Sequence, residues 1–172
     1  MRNIRVPIAT LVFGLTLGLT GGTAATRDIS GIISSTLTIT EDSQLVGNVT
    51  CTVTGAACIS FGSPGISLRL NGFTITGQAD PVTACAGGQT AGEHGILIDG
   101  LRGVIIQGPG VVQRFRNQGI IVNASSRVLV RQVTASTNCA SGIWVGGNST
   151  DNEIEANISV RNGNGASACG GI

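Results

Sequence analysis

The sequence predicts an all-β domain wound as a single-stranded right-handed parallel β-helix, with about 23–24 residues per coil and three parallel sheets. Three observations carry that expectation. Glycine supplies 27 of 172 residues, tyrosine is absent and 3% are aromatic, so the backbone turns often around an aliphatic core. A glycine followed by apolar, any, apolar recurs at Gly95-Ile96-Leu97-Ile98, Gly119-Ile120-Ile121-Val122 and Gly142-Ile143-Trp144-Val145, and begins again at Gly171-Ile172. Two further short segments keep the same step. One runs through Ile66 to Leu70, Val104 to Gln107, Val128 to Arg131 and Glu153 to Glu155, the other through Phe73 to Thr76, Val111 to Arg114, Val133 to Ser136 and Ile158 to Arg161.

Residues 1–25 read as an export signal: Arg2 and Arg5 precede a mostly apolar run from Val6 to Leu19, then the small residues Gly22, Thr23, Ala24 and Ala25. The run is shorter than the ~20 apolar residues that span a bilayer. The expected localisation is therefore exported, whether periplasmic, cell-surface or secreted, with no membrane span after signal removal. Residues 26–172 form the expected β-helix domain. Charged residues make up 11%, below the roughly 25% of an average domain. The 26–172 region carries eight arginines against nine acids, a balance that favours no nucleic-acid partner. Lysine is absent, which removes a P-loop lysine, a Schiff base and a Ser-Lys dyad.

Within each strand the alternation has period two, so Ile96 and Ile98 face one side and Leu97 the other. The corners lack the paired turn signals of antiparallel hairpins. Parallel strands need crossovers of about a dozen residues or more, and a coil with two intervening strands supplies one without a helix. The expected inward set is Ile59, Phe61, Ile66, Leu68, Ile75, Ile96, Ile98, Val104, Ile106, Val112, Ile120, Val122, Val128, Val130, Val133, Ile143, Val145, Ile154 and Ile158. A step of 24 also stacks Arg127 on Asp151 and Arg131 on Glu155.

The run Gly65-Ile66-Ser67-Leu68-Arg69-Leu70-Asn71-Gly72-Phe73-Thr74-Ile75-Thr76-Gly77, with the repeats after it, resembles the right-handed parallel β-helix proteins of the pectin-lyase-like superfamily over residues 30–172. The resemblance implies an exported protein that binds or processes polysaccharide, as a lyase or hydrolase; whether it is an enzyme stays open. The alternative is a non-catalytic β-helix for surface attachment, scaffolding or binding. No cofactor is predicted, calcium entering by family analogy alone. Substrate and oligomeric state are not encoded legibly.

The longest corner, Gly77 to His94, reads as either a functional loop or a lid over one sheet. The cysteines Cys51, Cys58, Cys85, Cys139 and Cys169 fall at or beside this corner. Neighbouring coils bring Cys139 and Cys169 within reach of a disulfide, and Cys51 and Cys58 close a short loop. His94, the single histidine, beside Glu93 is the best acid–base candidate, with a satisfied loop histidine as the plainer reading. Asp151, Glu153 and Glu155 alternate on one strand and read as a surface ladder. The Asn-x-Asp, Asp-Asp and Gly-His-Gly of the polygalacturonase-type hydrolases are absent, so no catalytic set is identifiable. Leu97, Ile121 and Trp144 should form an outward apolar column: a platform for a sugar ring, a partner interface or the surface beneath the long loop. The repeat reaches Gly171-Ile172 without a polar cap, so the chain is expected to be the N-terminal part of a longer protein.

Overall fold

The computed structural model describes residues 26–82 and 85–163. Within them the chain is all-β, without a helix. The strands are β1 (Arg27–Ile33), β2 (Leu37–Ile39), β3 (Ser43–Cys51), β4 (Ile59–Phe61), β5 (Ser67–Arg69), β6 (Thr74–Thr76), β7 (Ile96–Asp99), β8 (Ile105–Gln113), β9 (Ile120–Asn123), β10 (Leu129–Ser136), β11 (Ile143–Gly146), β12 (Glu153–Glu155) and β13 (Ile158–Val160). They form two sheets. A long sheet runs β1-β3-β5-β8-β10-β12, with β6 paired to β3 and β8 and β13 paired to β10; a short sheet runs β2-β4-β7-β9-β11. Every ladder is parallel.

The register follows the sequence repeat. Ile96 pairs with Ile120 and Ile120 with Ile143; Ile106 pairs with Val130 and Val130 with Ile154. The first glycine of each repeat has a reason to be glycine. A Cβ on Gly95 would lie 2.4 Å from Gly119 O, and one on Gly119 2.7 Å from Gly142 O, so successive backbones touch there.

The expected three sheets are corrected to two sheets and a row of single bridges, Arg102 to Ser126 to Thr150. In β8 and β10 the second and third predicted segments run together through a bend. Only Gly108-Pro109-Gly110 separates them in β8, and in β10 the register shifts between Arg131 and Val133. Gaps this short bend a strand, as a bulge does, and leave it in its ladder.

The core follows the period-two reading. Ile59, Ile96, Ile98, Ile106, Ile120 and Ile143 are fully buried, each contributing roughly 1.5–3 kcal/mol relative to exposure. Ile158 is a correction: it pairs with Thr134, in the column that faces outward, and is 60% exposed. The inward position there is Ser159, opposite the buried Ala135. Val145 continues the inward Val122 column but is 37% exposed, because β11 is paired on one side among the described residues. Ile66 and Ile154 are half-buried against the core.

The cysteines give a second correction. Cys139 is bonded to Cys85, which stands across from it on the long loop with Cα atoms 4.7 Å apart, so it cannot bond Cys169. Cys51 and Cys58 close the short loop, Cα atoms 6.0 Å apart. Cys169 and the expected export segment lie outside the described residues. The Arg131 and Glu155 positions do stack, but Arg131 Nη2 donates to Gln107 Oε1 at 3.1 Å, on the repeat before, and among the described residues the two form no ion pair.

Side-chain amides close the corners between repeats. Asn152 Oδ1 accepts the Val128 N–H at 2.8 Å while its Nδ2 donates to Ser125 O at 3.1 Å. Asn157 does the same for Val133 N–H and Val130 O, at 2.9 and 2.8 Å. Each amide thus satisfies one donor and one acceptor that the ladder leaves open.

Candidate functional site

The outer face of the short sheet carries two parallel columns. Leu97 pairs with Ile121 and Ile121 with Trp144, so the predicted apolar column exists, all three side chains half-buried. Two residues further along the same strands, and therefore on the same face, Asp99 pairs with Asn123 and Asn123 with Gly146. Asn123 Nδ2 donates to Asp99 Oδ1 at 2.7 Å, and Asp99 is exposed. The glycine that ends the polar column makes room for the aromatic that ends the apolar one. A Cβ on Gly146 would lie 2.3 Å from Cζ2 and Cη2 of Trp144, so the indole lies across that backbone. Gly147, at φ +66°, turns the chain away, and a Cβ there would meet Asn123 Oδ1 at 2.2 Å. The result is an apolar strip ending in an indole, flanked by a carboxylate and an amide. Such a surface offers apolar contact beside hydrogen-bonding groups.

The loop between Gly77 and His94 lies on the corner at the start of these strands. Ala79 N donates to Arg114 O at 2.7 Å, Thr90 N to Arg116 O at 2.8 Å and Gln89 Nε2 to Asn117 Oδ1 at 2.5 Å, and Cys85 is bonded to Cys139. These anchors reach the 114–117 stretch and Cys139, upstream of Ile121 and Trp144 on their strands.

Glu93 and His94 close that loop. Glu93 is buried, and its carboxylate is fully engaged: Arg116 Nε reaches Oε2 at 2.5 Å and Nη2 reaches Oε1 at 3.1 Å, while Gly55 N–H donates to Oε1 at 2.9 Å. Such a bidentate pair ties the loop's end to two neighbouring repeats. Burial pushes the His94 imidazole below its ordinary 6.5, with the Gln118 side chain opposing part of the shift. His94 Nδ1 and Gln118 Oε1 are both buried without a hydrogen-bond partner. The adjoining cavity, lined by Val53, Gln78, Glu93, His94, Phe115 and Arg116 among others, has enclosed space for about one water molecule. The two predicted acid–base residues are thus adjacent, but the carboxylate serves as an anchor and the space beside it is too small for a sugar.

Asp151, Glu153 and Glu155 are exposed on the corner before β12 and on β12 itself. Among the described residues no three His, Cys, Asp or Glu side chains are grouped so as to hold a metal ion, and no helix is long and apolar enough to cross a membrane. The sequence reading missed the Asp99–Asn123 pair. Its signal was present: the two residues are 24 apart and end equivalent strands, the same step that stacks Leu97 on Ile121. Compared with protein-family models, curated proteins and solved structures, the chain matches none.

Proposed function

We propose that this protein is an exported, right-handed parallel β-helix that binds a polysaccharide strand along the outer face of its short sheet. The observation that carries this reading is the pair of columns in register, Leu97–Ile121–Trp144 beside Asp99–Asn123–Gly146. The CH face of a pyranose ring stacks on apolar and aromatic surface, while its hydroxyls need donors and acceptors at the edge. The disulfides Cys51–Cys58 and Cys85–Cys139 fit an oxidising compartment and so support export. The parallel ladders, which join each strand to those one repeat before and after, support a coil resembling the pectin-lyase-like superfamily.

Binding, as distinct from cleavage, is the reading these residues favour, because Glu93 is committed to Arg116 and Gly55. The chain has one tryptophan and no tyrosine, so its emission reports on this face alone. Titration with a panel of soluble polysaccharides should shift that emission, and Trp144→Ala should bind at least about tenfold more weakly, the loss of one stacked ring. New reducing ends or unsaturated products in the same mixtures would turn the reading to hydrolysis or elimination. A panel that neither shifts the emission nor binds in a pull-down would end it.

A further inference from the structure

Resting on the reading that this face binds glycan, we infer that its ligand is a neutral polysaccharide, one that presents hydroxyls and no carboxylate to the Asp99–Asn123 pair. Asp99 is exposed at the end of β7, one strand from Asn123 and on the same face of its strand as Leu97. The bond from Asn123 Nδ2 to Asp99 Oδ1 fixes the two side chains relative to each other. It leaves the carboxylate able to accept further hydrogen bonds, since an ionised carboxylate offers about four lone-pair sites. The amide oxygen is a second acceptor, packed against Gly147, where any side chain would collide with it. The pair is therefore rich in acceptors, and the natural complement is a donor-rich edge: vicinal hydroxyls of a neutral sugar whose ring rests on Ile121 and Trp144.

A uronic acid brings the opposite chemistry. Its carboxylate offers no donor, and beside Asp99 it places like charges at hydrogen-bond distance, which is strongly unfavourable in a partly desolvated contact. The nearest remedy would be an arginine paired with Asp99. Among the described residues, however, the only ion pair joins Arg116 to Glu93, on the loop corner. Among the described residues, therefore, no arginine neutralises Asp99. Charge and hydrogen-bonding capacity both select a neutral chain.

The test is a titration of Trp144 emission with β-glucan and xylan oligomers against oligogalacturonate and oligoalginate of equal length, at low and at raised salt. Neutral oligomers should bind at least about tenfold more tightly than either uronate, and salt should narrow the gap by screening the repulsion. Asp99→Asn, isosteric and at an exposed position, should weaken neutral binding by about tenfold, as expected for loss of a charged acceptor. The same change should also raise uronate binding. Uronates that bind as well as neutral oligomers, or an unchanged ratio in D99N, would overturn this inference while leaving the glycan face standing. Silence toward every sugar, in the emission of the native protein and in a pull-down alike, would end both.

Discussion

Asn162 Oδ1 accepts the backbone N–H of Asn138 at 2.9 Å, and its Nδ2 donates to Ala135 O at 2.9 Å. Asn138, fully buried, reaches back one repeat further to Phe115 N–H at 3.1 Å and Val112 O at 3.3 Å. Asn138 Nδ2 also donates to Asn162 Oδ1 at 3.0 Å. Removing the Asn138 amide strands several buried backbone groups, so Asn138→Ala should cost about 3 kcal/mol. Asn48→Ala, which releases one exposed bond to Thr74 N–H, should cost under about 1 kcal/mol. Urea melts of the two variants check the contrast.

Glu93→Gln should loosen the long loop. The substitution keeps the shape but removes the charge that Arg116 faces, and Arg116 is about one-third exposed, so water compensates in part. A loss of about 1–3 kcal/mol is expected, less than for a fully buried pair. Amide exchange should quicken at Gly55 and Thr90 and stay unchanged at Ile120.

Stability should depend on the His94 charge. Its folded pKa lies below the unfolded 6.5, so the unfolded chain takes up the proton first. The protein should be at full stability on this account above pH 6.5, and lose stability as pH falls from there toward the folded pKa. His94→Gln should flatten that part of the profile when urea midpoints are compared across the range; an equal slope in both proteins would show that other groups carry it.

Reduction of Cys85–Cys139 should be felt in the loop before the sheets. The bond closes a loop with a sequence separation of 54, for which the chain-entropy model gives about 4 kcal/mol. Cys85→Ser should expose the 77–94 segment to proteinase K, with Val82, already 80% exposed, among the first sites cut. Fragments starting inside β8 or β10 would point to damage beyond the loop.

Gly146→Ala should move the Trp144 ring. The new methyl would occupy the place of the indole edge, and a side-chain ring gives way more readily than backbone. The emission should shift to the red while the urea midpoint changes little, separating the site from the fold.

The fold was largely legible because the repeat and the period of two act together. Ile96, Ile120 and Ile143 share a face, and a one-residue slip would turn that face outward. Ile158 was misplaced by one residue because its segment was aligned by apolar character, whereas the 24-residue step puts it opposite Thr134. Two short segments looked like two strands because sequence alone does not tell a bend from a corner. The Cys51–Cys58 pair was legible from its short loop, but the partner of Cys139 was not, because Cys85 reaches Cys139 only once the long loop folds back over a later repeat. At the site, Leu97, Ile121 and Trp144 were visible as apolar residues between inward ones. Asp99 and Asn123 were passed over because Asp and Asn at strand ends also suit turns.

Ile59 pairs with Ile96 across the whole 77–94 loop, just as Ile96 pairs with Ile120 across an ordinary repeat. Length added at that corner is carried outward and leaves every column in place. A residue inserted within β8 or β10 would instead turn the strand beyond it inside out, sending its core side chains to solvent. The chain thus has a splice point built into its geometry, where a foreign peptide could be displayed at the rim of the short sheet without retuning the repeats around it.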